Sequence, residues 1–288
     1  MNLAQALQTS ILALGVKGIE DNYHEARLML QHVANLSASE LHARPEQLLT
    51  QAEIRHLQQL LERRLRHEPN AYLVEHKEFY GIDFYVDHRV LIPRPETELL
   101  VEQALMFAKD YSNQLSCSDR PLIVADIGTG CGAIAISIAL NLPQSRVYAI
   151  DISSAALEVA RRNCEHHNII GHILLLQGDL VEPLPEPVDL LIGNLPYVKD
   201  TDLSCLSPEI TNFEPRLALD GGQGGMQYIH RLIAQAESKV YPNGCILLEI
   251  GGEQDNKVLA LAKRYLPKAR CKLMPDLNRI NRVVKITL

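Results

Sequence analysis

Three short stretches hold residue types that could do chemistry together. The first is Asp126-Ile127-Gly128-Thr129-Gly130-Cys131-Gly132, where three alternate glycines follow the apolar run Leu122–Ile127. Glycine tolerates positive φ and carries no Cβ, so a nucleotide-like ligand can lie against such a turn at the start of a helix. The spacing G-x-G-x-G is neither the dinucleotide fingerprint G-x-G-x-x-G nor a phosphate loop ending in G-K-[ST]. Alone, it is a weak signal, and a tight strand-to-helix turn is the lesser alternative. The second stretch supplies carboxylates. Asp151 closes RVYAID, where it either accepts hydrogen bonds from two vicinal ribose hydroxyls or caps the helix starting near Ser153. Taken with the glycine turn, the ligand reading is favoured. Asp179, in QGDL, is placed to accept from an exocyclic adenine amine, or is an ordinary turn aspartate. The third stretch, Asn194-Leu195-Pro196-Tyr197, follows the apolar run VDLLIG. Pro196 steers Leu195 away from helical dihedrals, leaving carbonyls beside the Asn194 acceptor to face a cleft. Such an array suits an amide or aromatic amine, whose nitrogen presents two N–H donors. The alternative is a plain proline turn.

These stretches need a scaffold that brings them to one edge. LIVADIG, RVYAID, Ile173–Gln177, VDLLIG, CILLEI and Val283–Leu288 read as strands. Between them, helical patterns cover Glu96–Lys109, Gly132–Asn141, Ser153–His166, Tyr228–Lys239 and Glu253–Tyr265. Strands interleaved with helices imply an α/β doubly wound, mostly parallel sheet covered on both faces. In such sheets ligands bind at the carboxyl ends of the strands, which is where all three stretches fall. Lys199–Gly225 is a long Pro/Gly/Asp-rich connection, long enough to form a lid. Upstream of about Asn70 the apolar residues recur at helical spacing, as in Leu3, Leu7 and Leu14, so the chain opens with a small all-α domain. Ser37 to Glu40 forms an S-x-x-E capping box, and Gln51 to Arg66 is a polar helix with Ile54, Leu57, Leu61 and Leu65 on one stripe. Phe79 to Ile92 reads as a β-hairpin linker.

Composition narrows the function. Of 288 residues 47% are hydrophobic, enough for a sizeable core, which excludes disorder as the main state. Lys and Arg number 28 against 35 Asp and Glu, so no global positive field favours duplex nucleic acid. Cys117, Cys131, Cys164, Cys205, Cys245 and Cys271 are scattered without C-x-x-C or zinc-like spacing, which fits a reduced, cytoplasmic chain without a metal. His166, His167 and His172 lack accompanying carboxylates or thiolates at ligand spacing and read as solvent-facing. No signal peptide or membrane span is expected.

LIPRPETELLVE (Leu91 to Glu102), DIGTGCGAIAI, AIDISSAALEVARRN, GNLPYV and FEPRLALDGGQGG together give the chain a resemblance to the peptide-chain release factor glutamine N5-methyltransferases, over nearly its full length. The glycine motif is common to class I methyltransferases, but IPRPETE combined with N-x-P-Y is much narrower. The resemblance implies a class I methyltransferase domain over 93–288, a hairpin linker over 77–92 and a helical substrate-docking domain over 1–76. It implies S-adenosylmethionine as cofactor and a release factor, methylated at the glutamine of its Gly-Gly-Gln motif, as substrate. A monomer with no direct contact to nucleic acid or membrane is expected. Gly128, Thr129, Gly130, Cys131 and Gly132 would wrap the methionine part of the cofactor, Asp151 would hold ribose, and Asp179 with Leu180 would border adenine. Asn194 would border the cofactor too. Asn194, Leu195 and Pro196 would hold the glutamine amide and Tyr197 would pack on its plane, with Asn194, Pro196 and Tyr197 as the catalytic set. Pro93, Arg94, Pro95 and Glu96 would line the other side of the cleft, Arg94 and Glu96 touching substrate. Two positions depart from the family: Leu195 stands where proline is usual, and Leu180 where an aromatic is common. Gly221-Gly222-Gln223 repeats the target tripeptide, but its glycines already belong to the family pattern, so Gln223 is expected to be a loop residue. The competing readings are methylation of a ribosomal-protein glutamine, adenine-N6 methylation of nucleic acid, and a cofactor-binding module without catalysis.

Overall fold

The computed structural model describes residues 1–114 and 120–288; Cys117 lies outside them. Contacts divide the chain into two units, one of Met1–His76 with Ser207–Phe213, the other of Lys77–Leu206 with Glu214–Leu288. The first unit therefore takes in a short segment from far along the sequence, which the expected boundary at residue 76 leaves out.

The first unit contains α1 (Leu3–Val16), α2 (Asn22–Ala34), α3 (Ala38–Ala43), α4 (Gln51–Arg64) and α5 (Asn70–Leu73). Capping boxes start three of these helices, from Asn2 with Gln5, Ser37 with Glu40, and Thr50 with Glu53. In each, a side-chain oxygen satisfies an orphan backbone N–H and the partner returns the bond. Leu3, Leu14, Met29, Leu30, Leu57 and Leu60 form the core. Arg64 is buried within it, yet its guanidinium is answered by Glu25 (2.9 Å from Nη2 to Oε1) and by Glu209 (2.5 Å). A buried guanidinium needs such partners, and two carboxylates provide them.

The second unit begins with a hairpin of β1 (Lys77–Phe79) and β2 (Ile82–Phe84), turned by Tyr80 and Gly81 at φ 54° and 70°. It is shorter than the expected ribbon to Ile92. Beyond Phe84 the buried Asn163 side chain takes the place of a partner strand, accepting from Tyr85 N (2.8 Å) and donating to Tyr85 O (3.0 Å).

There follow α6 (Glu98–Gln114), β3 (Ile123–Ile127), α7 (Ala133–Asn141), β4 (Arg146–Asp151), α8 (Ser154–His166), β5 (Ile173–Gln177) and β6 (Val188–Gly193). The connection after β6 holds α9 (Pro208–Phe213), which belongs to the first unit, and α10 (Arg216–Leu219), which belongs to the second. It is followed by α11 (Gln227–Ala236), β7 (Val240–Glu249), α12 (Asp255–Tyr265), β8 (Arg270–Pro275) and β9 (Asn281–Thr287).

The seven strands lie in the order β5-β4-β3-β6-β7-β9-β8. They are parallel from β5 to β7, and β9 runs antiparallel to both of its neighbours. Every residue of β3 and β6 is buried, as strands covered on both faces require. Ile127, Leu191, Ile246 and Leu248 pack with Ile229, Leu232 and Ile233 of α11 and Val258 of α12 on one face; α6, α7 and α8 take the other. The sequence pattern assigns no element to Arg270–Pro275, because this edge strand is largely exposed and carries no apolar alternation. Pairing with β9, not local propensity, creates it.

The chain leaves β3 for β4 and β5 on one side, then returns to place β6 on the other. The sheet therefore switches direction between β3 and β6, and the crevice at that point is the expected ligand site.

Asp189 in β6 is 1% exposed and accepts from Tyr111 Oη (2.6 Å), Arg120 Nη1 (2.7 Å) and Ile123 N (3.0 Å). Burial opposes its charge, but the Arg120 guanidinium, the Tyr111 hydroxyl and the Ile123 amide hold its pKa below the usual carboxylate range. A depressed folded pKa gives stability that is present above the unfolded value and lost as pH falls through the folded one. Arg120→Ala leaves a buried carboxylate short of its cation and should cost about 2–4 kcal/mol, discounted for the half-open guanidinium. Urea denaturation at neutral pH checks this; an unchanged midpoint would refute it.

Candidate active site at the sheet's switch point

Register places the site residues side by side. Ile127 pairs with Ile150 on one side and Gly193 on the other, and Gly193 pairs in turn with Leu248. The residues one step beyond these ends, Gly128, Asp151, Asn194 and Glu249, thus share the carboxyl edge of the sheet.

One cavity opens there. Its walls include Gly128, Gly130, Asp151, Asp179, Leu180, Asn194, Leu195 and Pro196. Ile127, Ile150, Ile152, Ala156, Leu217 and Tyr228 add mainly apolar lining. Residues from all three stretches are therefore brought together.

The glycine turn works differently from the expectation. Gly128 and Gly130 have φ of 74° and 56°, the left-handed region that glycine adopts without Cβ strain. The amides, however, are already engaged. Gly128 N and Thr129 N donate to Ile150 O (2.8 and 2.9 Å), Gly130 N to Asp151 Oδ2 (2.9 Å), and Gly132 N to Thr129 O (2.9 Å). The turn offers a wall without Cβ atoms more than a set of free N–H donors. Thr129, Cys131 and Gly132 do not line the cavity. Thr129 Oγ1 donates to Asp126 Oδ2 (2.7 Å), Cys131 is 2% exposed, and Gly132 caps α7. Burial pushes the Cys131 thiol up to about 12, which leaves it protonated and inert. Asp126 is fully buried behind the turn, and desolvation raises its pKa to about 7 despite bonds from Thr129 and Ala135 N.

Asp151 keeps unused acceptor capacity. Its oxygens take one backbone N–H each, from Gly130 and Ser153 (2.9 Å), so a carboxylate with four lone-pair positions can still accept from a ligand. Burial raises its pKa against the pull of those amides. Asp179 accepts from the Arg231 guanidinium through Oδ2. Leu180 is buried with φ at 51°, a conformation non-glycine residues rarely adopt and one that clusters at ligand sites.

Asn194 Nδ2 donates to Thr97 Oγ1 (3.1 Å), and Thr97 Oγ1 donates to Glu249 Oε2 (2.7 Å). Tyr197 Oη donates to Glu249 Oε1 (3.1 Å), so its ring does not line the cavity. Burial, followed by the nearby Glu249 charge, raises the Tyr197 pKa far beyond any working pH. Leu195 is 4% exposed, and its side chain sits where a Gly128 Cβ would come within 3.4 Å. Core packing thus holds the position where the family usually has a proline ring.

Arg94 and Glu96 also lie outside the cavity lining. Arg94 Nη2 donates to Glu214 Oε1, tying IPRPETE to FEPRLAL. Glu96 is half-buried in a short 3-10 turn.

Sequence reasoning passed over Thr97, Glu249 and Gln254. Gln254 is 2% exposed; its Nε2 donates to Tyr197 O (2.9 Å) and Gly225 O (3.1 Å), and its Oε1 accepts from Gly251 N (2.8 Å). A glutamate ending the apolar strand CILLEI was the available signal for Glu249. Among the described residues no group of His, Cys, Asp and Glu is arranged to hold a metal ion, and no helix is long and apolar enough to cross a membrane.

Comparison with known proteins adds five findings. A family model described as the PrmC N-terminal domain matches residues 5–74, and one described as the methyltransferase small domain matches residues 113–211. A release factor glutamine methyltransferase from Moorella thermoacetica is 38% identical over 277 residues, 96% of this chain and 95% of that protein. Another, from Chlorobaculum tepidum, is 34% identical over 286 residues, 98% of this chain and 95% of that protein. A methyltransferase from Pyrococcus furiosus aligns with a TM-score of 0.50 at 17% identity, covering 73% of this chain and 91% of that one, a likeness that speaks to the fold alone.

Proposed function

Because the chain belongs to the release factor glutamine methyltransferases, we propose that it transfers a methyl group from S-adenosylmethionine to the side-chain N5 of the Gly-Gly-Gln glutamine, with Asn194 gripping the amide. The orientation of Asn194 carries this reading. One N–H of its Nδ2 goes to Thr97, which turns that end of the amide toward Thr97 and leaves Oδ1 to accept an N–H from a substrate amide.

The cavity fits the cofactor in two respects. Its glycine wall would be narrowed by any Cβ, and Asp151 retains acceptors for two ribose hydroxyls. Gly128 and Gly130 would face the methionine part, Asp151 the ribose, and Asp179 with Leu180 the adenine. When bound, S-adenosylmethionine supplies an electrophilic methyl group on a sulfonium.

The protein's own part is to position the nucleophile. An amide nitrogen is a weak nucleophile because its lone pair is delocalised, and it becomes more positive as it attacks. Asn194 Oδ1, together with a main-chain carbonyl of Leu195-Pro196, would accept its two hydrogens and favour that growing charge. Orienting two reactants is worth roughly 7–11 kcal/mol, against about 0.5–1.5 kcal/mol net for one neutral hydrogen bond. Positioning is thus the larger lever. No side-chain base is needed, since a methylated, protonated amide gives its proton to water. The helical unit would dock the release factor, whose size calls for contact beyond the cleft, and the reaction would take place in the cytoplasm.

Incubation with labelled cofactor and, separately, a release factor, a ribosomal protein and a nucleic acid tests the assignment. Label confined to the release-factor glutamine supports it; label on either other candidate alone refutes it.

Asp151→Ala should weaken S-adenosylhomocysteine binding by about a hundredfold, the loss expected for two charge-assisted hydrogen bonds. Calorimetry measures this, and wild-type affinity would remove Asp151 from the ribose site.

A further inference from the structure

An asparagine amide has two ends of nearly the same shape and opposite hydrogen-bonding sense, so something must decide which end faces the cleft. At Asn194 the decision runs through two neighbours. Thr97 Oγ1 carries one proton and gives it to Glu249 Oε2 at 2.7 Å. Its lone pairs are left for Asn194 Nδ2 at 3.1 Å. Glu249 is 1% exposed, and its other oxygen accepts from Tyr197 Oη at 3.1 Å. An ionised carboxylate only accepts, so the direction of every bond in this chain follows from Glu249.

We propose that Glu249, acting through Thr97, is the positioning residue that fixes the Asn194 amide with Oδ1 toward the substrate. The proposal rests on the reading that Asn194 holds the glutamine amide. Neither residue touches the reacting atoms; they set the polarity of the residue that does.

This arrangement carries a pH dependence. A protonated Glu249 becomes a donor, Thr97 is then free to donate in its turn, and Asn194 is able to rotate so that Oδ1 accepts from Thr97. Nδ2 would then meet the substrate N–H groups, donor against donor. The groups facing Glu249 are the Thr97 and Tyr197 hydroxyls, the Arg282 guanidinium, itself paired with Asp276, and the Glu96 carboxylate. Burial raises the Glu249 pKa, Thr97, Tyr197 and Arg282 oppose that rise, and Glu96 adds to it. Turnover is therefore full above the folded pKa and falls as pH drops through it. Folding stability has the opposite sign: a raised carboxylate pKa makes the folded state bind the proton more tightly, so this group's contribution declines as pH rises through the same window.

The test measures kcat and KM for release-factor methylation against pH in the wild type, Thr97→Ser, Thr97→Val and Glu249→Gln. Calorimetry with S-adenosylhomocysteine and circular dichroism accompany each variant. Thr97→Val should lower kcat by about ten- to a hundredfold, the worth of a hydrogen bond tied to a charged group, with cofactor affinity within about threefold. Thr97→Ser keeps the hydroxyl and should restore kcat to within about threefold of wild type. The wild type should show an acid limb above pH 4.5, the ordinary glutamate value, and Glu249→Gln should erase it. Wild-type kcat in Thr97→Val, an equal loss in Thr97→Ser, or an acid limb unchanged in Glu249→Gln would each overturn the proposal. If Glu249→Gln does not fold, the threonine pair decides alone. A wild type that binds cofactor but leaves the release-factor glutamine unmodified defeats the functional reading instead, a result distinct from variants that match an active wild type.

Discussion

Asn194→Ala is expected to lower methylation of the release-factor glutamine by about a hundred- to a thousandfold, the range seen when one preorganised polar group is taken from a transition state. The loss should fall on kcat, because the nitrogen's hydrogens need their acceptors most when positive charge develops. S-adenosylhomocysteine affinity should stay within about threefold, since Asp151 and the glycine wall would carry most of the cofactor contact. The variant also frees Thr97 from its Asn194 partner without disturbing its bond to Glu249, so the buried strand ends remain satisfied and the protein should fold. Steady-state kinetics with calorimetry separates the two quantities. Wild-type kcat in the alanine variant would end the amide-clamp mechanism, and an equal loss of cofactor affinity would move Asn194 from the substrate to the cofactor.

Much of this site was legible because parallel sheets concentrate function at strand ends. Asp151 and Asn194 each follow a short apolar run, and the sheet order makes those runs neighbours. The sequence could not say that the Gly128, Thr129 and Gly130 amides would be engaged inside the protein, because Ile150 O and Asp151 reach them only after β3 and β4 pair. Tyr197 shows the same limit. The resemblance implies a ring packed on the substrate amide, but Glu249, 52 residues later, engages its hydroxyl, and the ring does not line the cavity. Arg94 is likewise engaged by Glu214, 120 residues on. Local pattern gave the backbone path, while the polar partners came from residues that only the tertiary fold brings near. The edge strand Arg270–Pro275 escaped for a related reason: most of its residues face water, so no fully buried face imposes a period of two.

Gly225→Ala should be the most damaging single methyl group in the chain's long connection. Gly225 has φ of 71°, and a Cβ built there would stand 2.2 Å from Tyr197 O and 2.6 Å from Gln254 Nε2. Both atoms belong to one hydrogen bond, the 2.9 Å contact by which Gln254 holds the Tyr197 carbonyl. Gly221 presses on the same backbone, where a Cβ would lie 2.7 Å from Pro196 O and 2.8 Å from Tyr197 Cα. Gly221 and Gly225 are therefore required as backing for Pro196-Tyr197, and Gly222 with φ of 70° packs against Gln227, which accounts for the glycines of Gly221-Gly222-Gln223 without any mimicry of the substrate. The methyl group should cost about 3 kcal/mol, combining left-handed strain with displacement of the Gln254 contact, and should lower kcat by about a hundredfold as the clamp shifts. Exposed Gln223 provides the contrast: Gln223→Ala should turn over at the wild-type rate, and mass spectrometry of wild-type enzyme incubated with cofactor should find Gln223 unmodified. Thermal melts and kinetics on the two variants decide the matter. A Gly225→Ala protein with wild-type stability and kcat would mean that the loop gives way and does not brace the amide clamp, and a methylated Gln223 would return the loop to the role of substrate.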